Sequence, residues 1–115
     1  MEEKNIDVIF EYFFTYKKRH FYVEEISMKN IADIYGTPSY IYSKNYLISQ
    51  ITKFKNAFSN IEALICYSVK ANSNLSILNI INKQGYGADV VSEGELRASI
   101  LAGFSPRMIV FAGVG

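Results

Sequence analysis

One cysteine, two prolines and a net charge of only +1 are the scarce features of this 115-residue chain, and each scarcity excludes something. With Cys66 alone, an internal disulfide and a metal centre built on several thiolates are both impossible, and the usage fits a reducing compartment. Twelve basic against eleven acidic residues leave too little charge of one sign to hold duplex nucleic acid or an anionic membrane surface by bulk electrostatics. No apolar run approaches the roughly 18 residues that a membrane span requires, and the longest, such as Met108 to Gly115, are strand-sized. The start, Met1-Glu2-Glu3-Lys4, is acidic where a signal peptide is basic, and no apolar segment with a small-residue cleavage site follows. The expected location is the cytoplasm, with no nucleic-acid and no membrane partner.

What is present is a composition half apolar and one-fifth charged, the balance of a chain able to bury a core. Its length allows one compact unit at most. No repeat or linker interrupts it, and Pro38 and Pro106 both precede apolar runs of strand character. From Ser39 the pattern alternates. Tyr40-Ile41-Tyr42 reads as a short strand, and Ser43 as the N-cap of a helix whose Leu47, Ile48, Ile51, Phe54, Ala57 and Phe58 recur at helical spacing. Ala63 to Val69 is the next strand. After an Asn72-Ser73-Asn74 turn, Leu75 to Gln84 is a helix closed by Gly85.

Ala88 to Val91 is the third strand, and Ser92-Glu93-Gly94-Glu95 then has the S-x-x-E form in which Ser92 caps a helix and Glu95 reaches back to it. That helix ends at Gly103, and Met108 to Phe111 makes a fourth strand before the glycine-rich Gly113-Val114-Gly115. Strands alternating with helices of this length imply a parallel sheet, and four strands are about half of a (β/α)₈ barrel. The pattern stops midway, so the chain reads as the N-terminal part of such a barrel, inactive alone and with open sheet edges.

Residues 1–37 are of another kind: an aromatic-rich run from Phe10 to Tyr16, a strand-like Phe21-Tyr22-Val23, and a short helix capped by Ser27 and ended by Gly36. They form a short β-rich lead-in, and residues 38–115 the partial barrel. Lys17-Lys18-Arg19-His20 is a small basic cluster best explained as a solvated turn. His20, the only histidine, matches no ligand pattern.

Lys70 carries the most chemistry. It falls at the C-terminal end of a strand read as buried, where barrel and open α/β proteins place their active sites. An ammonium is costly to desolvate, so the position suits either a solvated amine or a functional one able to form a Schiff base with a carbonyl. Cys66 lies four residues earlier in the strand, where alternation puts it on the same face as Lys70, and it reads as a small buried hydrophobe.

The run Tyr67-Ser68-Val69-Lys70-Ala71-Asn72-Ser73-Asn74 resembles the cofactor-lysine motif of alanine racemase and the fold-type III amino-acid decarboxylases, which use pyridoxal 5'-phosphate. Three further segments agree in order and spacing with diaminopimelate decarboxylases. They are Gly36-Thr37-Pro38-Ser39-Tyr40-Ile41-Tyr42-Ser43, the stretch from Gly87 to Leu96, and Ala102-Gly103-Phe104 with Ile109 to Gly115. Glu93, where the family often has glycine, is a minor departure.

The resemblance implies an alanine racemase-like, pyridoxal phosphate-binding (β/α)₈ barrel of which about four βα units are present. It implies a cytoplasmic lyase of lysine biosynthesis that decarboxylates meso-diaminopimelate to L-lysine and CO₂. Lys70 then corresponds to the lysine that binds the cofactor, and Asp89 and Glu95 match carboxylates in or beside the active site. On the residues alone, Asp89 reads equally as a turn or capping aspartate and Glu95 as a plain capping-box partner. The family's ring-stacking histidine, phosphate site, pyridine-nitrogen partner and C-terminal β-domain, with which the lead-in would pack, have no counterpart in these residues; for the full-length family member the resemblance implies a homodimer. Ornithine, arginine or carboxynorspermidine decarboxylases and a non-catalytic remnant are the rival readings.

Overall fold

The computed structural model describes residues 12–114. The acidic start, the first two residues of the aromatic run and Gly115 lie outside the described residues. The chain divides into two compact units, one up to Leu47 and one from Ile48 on.

In the first unit, β1 (Phe14–Lys17), β2 (His20–Val23) and β3 (Ile26–Ser27) form an antiparallel sheet in sequence order. The β1–β2 register runs from Phe14 opposite Val23 to Lys17 opposite His20. That leaves Lys18 and Arg19 as a two-residue connection, and both take the left-handed backbone (φ 50° and 67°) that a tight hairpin turn demands. The basic cluster is therefore a hairpin tip. Lys17 pairs with Glu25 at 3.4 Å and lies 5.2 Å from the centre of the Tyr22 ring. Helix α1 (Met28–Tyr35) follows β3 directly; Ser27 has the extended backbone of an N-cap, but its hydroxyl makes no capping bond.

Tyr40-Ile41-Tyr42 does not form the expected strand. A strand exists only through its ladder, and no described strand pairs with this segment, whose Tyr40 is 90% exposed. Helix α2 (Lys44–Ala57) starts as expected at Ser43, whose Oγ accepts from the Tyr46 amide at 3.0 Å. A second cap reinforces it. Glu24 Oε1 accepts from the Ser43 hydroxyl at 2.6 Å and from the Asn45 amide at 3.0 Å, while Oε2 accepts from Asn45 Nδ2 at 2.8 Å. These bonds hold the Glu24 carboxyl below its ordinary pKa, the Ser43 bond contributing most. The apolar stripe read along α2 is buried only at Ile51. Phe54, Ala57 and Phe58 stay exposed, and the two phenylalanine rings instead contact each other at the i, i+4 spacing, 5.0 Å between centroids.

The second unit holds β4 (Cys66–Ser68), β5 (Gly87–Val90) and β6 (Ile109–Phe111) in a parallel sheet of that order. Helix α3 (Leu75–Lys83) links the first two strands and α4 (Glu93–Leu101) the last two. β4 is shorter than the expected Ala63 to Val69: only Cys66–Ser68 stand in register with β5, and at Val69 the chain leaves the ladder for a 3₁₀ segment (Val69–Ala71). Local chemistry sets the helix ends. Asn74 Oδ1 accepts from the Ser76 amide at 3.0 Å, and Gly85 and Gly103 take the positive φ that closes α3 and α4.

The core of this unit is Val69, Leu78, Ile81, Ala88, Val90 and Ser99, all essentially inaccessible. Ser99 satisfies its hydroxyl by donating to Glu95 O at 2.8 Å. Tyr86 is buried with its hydroxyl donating to Ile51 O at 3.0 Å, and burial pushes its pKa up. Gly87 has no room for a side chain: a Cβ there would stand 2.5 Å from Met108 O and 2.8 Å from Cys66 Sγ. Among the described residues, no helix is long and apolar enough to cross a membrane.

Candidate functional site

Because the three strands of the second unit are parallel, their C-terminal ends, Ser68, Val90 and Phe111, lie along one edge of the sheet. Lys70 follows β4 by two residues, in the middle of the Val69–Ala71 turn. Val69 is fully buried and anchors the turn, whereas Lys70 is exposed and its ammonium has no hydrogen bond or ion pair among the described residues. Sequence alternation placed Cys66 and Lys70 on one face; the 3₁₀ turn ends the alternation before Lys70 is reached.

The turn is tied on both sides. The Tyr67 hydroxyl donates across it to Asn72 O at 3.2 Å, and Asn72 Oδ1 accepts from the Asn74 amide at 3.0 Å. The sequence marks Asn72-Ser73-Asn74 as a turn, but nothing in it signals that Tyr67 reaches over.

Asp89 sits on β5 directly between Ser68 and Val110 in the ladder, so the three side chains share one face of the sheet. Its neighbours in the strand, Ala88 and Val90, point to the opposite, helix-covered face and are completely buried. Asp89 Oδ1 is buried and has no hydrogen-bond partner, alone among the described side-chain atoms in this respect. An orphaned carboxylate oxygen is costly and calls for a partner that arrives from outside the chain. On the same face, burial pushes the Cys66 thiol up, and the Asp89 charge adds to the shift, so Cys66 stays a protonated, unreactive thiol near neutral pH.

Glu95 is already engaged. Ser92 Oγ accepts from the Glu95 amide at 3.2 Å, as the S-x-x-E pattern predicts, but the Glu95 carboxylate passes over Ser92 and accepts from the Val91 amide at 2.7 Å. It thereby braces the junction between β5 and α4. No hydrogen bond or ion pair joins Lys70, Asp89 and Glu95 to one another. His20 is exposed on the hairpin of the first unit, and no group of three His, Cys, Asp or Glu residues among those described could hold a metal ion.

The model of the pyridoxal-dependent decarboxylase family, pyridoxal binding domain, matches residues 44–115. The diaminopimelate decarboxylase of Pseudomonas aeruginosa is 39% identical over 89% of this chain and 25% of its own length. That of Aquifex aeolicus is 42% identical over 87% of the chain and 23% of its own length. A crystal structure of diaminopimelate decarboxylase from M. jannaschii in complex with L-lysine superposes with a TM-score of 0.82 at 32% identity, covering 87% of this chain and 24% of that one. The chain thus spans about a quarter of the length of the relatives it matches.

A pyridoxal group needs an amine to bind its aldehyde carbon and polar partners for its ring substituents. The exposed, unpaired Lys70 and the orphaned Asp89 Oδ1 on the adjacent strand are groups of those two kinds, so the residues fit it. With parallel βα units, a cofactor-compatible strand end and a family model covering well over half of its residues, the chain belongs to the pyridoxal-dependent decarboxylases, within their pyridoxal binding domain, and its cofactor is pyridoxal phosphate.

Proposed function

We propose that this chain forms the cofactor-bearing part of a decarboxylase that removes the carboxylate at the D-configured centre of meso-diaminopimelate, releasing L-lysine and CO₂. The observation that carries the reading is the unpaired Lys70 amine at the strand edge beside a row containing the unsatisfied Asp89 carboxylate. The named relatives at about 40% identity are diaminopimelate decarboxylases, which supports this substrate over ornithine or arginine. The complete protein is read as a cytoplasmic homodimer whose lead-in packs against a further β-domain.

In this reading Lys70 would hold the cofactor through Nζ and would hold or release a proton at that atom. Bound there, the cofactor supplies a sink for the electron pair that the departing carboxylate leaves behind. Asp89 Oδ1, buried and unpartnered, would accept a hydrogen bond from the group held there. Glu95, by holding the Val91 amide, keeps the end of β5 in place, and in this reading it would act by positioning Asp89.

Borohydride reduction of the complete, cofactor-loaded polypeptide tests the assignment. The expected result is a stable label on the peptide containing Lys70, lost in Lys70→Ala together with CO₂ release from diaminopimelate. A label on another lysine overturns the site, and preferential turnover of ornithine or arginine overturns the substrate.

A further inference from the structure

A lysine side chain reaches far and turns freely, so the direction in which Lys70 presents its amine depends on how firmly its backbone is held. The 3₁₀ turn does little of this by itself, since it is three residues long and such turns have poor hydrogen-bond geometry. Restraint comes from the surroundings. Val69 plugs the core beneath the turn, and the Tyr67 hydroxyl spans it to Asn72 O. The link then continues from Asn72 Oδ1 to the Asn74 amide and from Asn74 Oδ1 to the Ser76 amide. One chain of hydrogen bonds therefore runs from β4, over the residue that carries the amine, into the first turn of α3.

We propose that Tyr67 is a positioning residue for Lys70: its hydroxyl clamps the Val69–Ala71 turn at the angle from which the amine meets the cofactor. The proposal rests on the functional reading above. Tyr67 is opposite Ala88 in the ladder and so lies on the helix side of the sheet, away from Ser68 and Asp89. It stands on the face opposite Asp89, and its hydroxyl reaches Lys70 through the turn.

Tyr67→Phe in the complete polypeptide keeps the ring and removes the bond. A neutral hydrogen bond of about 1 kcal/mol corresponds to about a five-fold change. We expect cofactor loss on dilution to be about five-fold faster and kcat lower by a similar factor, with KM for diaminopimelate unchanged. In the cofactor-free protein, amide exchange at Ala71 and Asn72 should rise by the same factor while the sheet amides of Ala88 and Asp89 keep theirs. A merely structural role would loosen those sheet amides too and would not separate kcat from KM.

Parental exchange at Ala71 and Asn72, or parental cofactor loss with borohydride still labelling Lys70, overturns the clamp. If the parent protein carries no label on Lys70, it is the functional reading that fails, and the exchange measurement still decides whether Tyr67 holds the turn. Should Tyr67→Phe not fold, 3-fluorotyrosine placed at position 67 keeps the ring and makes its hydroxyl a stronger donor to Asn72 O, so cofactor loss must slow; parental loss there refutes the proposal equally.

Discussion

Glu24→Gln isolates the double cap on α2. The carboxylate accepts three hydrogen bonds, from the Ser43 hydroxyl, the Asn45 amide and Asn45 Nδ2, at the positive end of the helix. Glutamine keeps the size and one carbonyl oxygen, so it can retain the first two as neutral bonds, but its NH₂ would face the NH₂ of Asn45. The charge assistance and one full bond are lost. Charged hydrogen bonds of this kind are worth about 1.5 to 3 kcal/mol each when well shielded, and Glu24 is only partly buried, so solvent screening brings the net loss to about 1–2 kcal/mol.

Amide exchange at Asn45 and Tyr46 in the complete polypeptide reads this locally, and at pH 7 protection should fall by about 5- to 30-fold. The pH dependence has a definite sign. The folded-state pKa of Glu24 is lowered, so the contribution is fully present above the unfolded value of about 4.5 and disappears as the pH falls through the lower folded value. Parent and variant should therefore converge in acid. Equal protection at pH 7, or a difference that persists undiminished once the carboxyl is protonated, would refute the reasoning.

Gly87→Ala should destabilise the parallel sheet by at least the 1–3 kcal/mol typical of overpacking, seen as a lower denaturant midpoint. Adding Cys66→Ala should relieve only part of the loss, because the nearer obstacle, Met108 O at 2.5 Å, is backbone; a neutral Gly87→Ala contradicts the packing argument. Asp89→Asn in the complete enzyme is nearly isosteric and should keep the cofactor while slowing decarboxylation about tenfold, the factor that corresponds to about 1.4 kcal/mol of lost charge stabilisation. Turnover unchanged across the pH range would make Asp89 a structural residue of the strand.

What the sequence determined by itself are the features whose physics is complete within a few residues. The Ser43 and Ser92 caps and the glycine stops at Gly85 and Gly103 depend on side chains and backbone groups no more than one helical turn apart. The alternation of strand and helix from Cys66 onward was legible for the same reason, and so was Lys70 at a strand end. Tertiary structure decided whatever needed a distant partner. Tyr40-Ile41-Tyr42 has the residues of a strand but no ladder among the described residues, and Phe54 and Phe58 have helical spacing without a surface that covers them. The row of Ser68, Asp89 and Val110 exists because three strands about twenty residues apart in sequence pair in one register. Likewise, the orphaned state of Asp89 Oδ1, the reach of Glu95 past Ser92 to Val91 and the Tyr67 bond over Lys70 depend on distances that only the folded backbone sets. Periodicity encodes which face a residue takes within its own element; what stands opposite that face follows from how the elements pair, and no local pattern contains it.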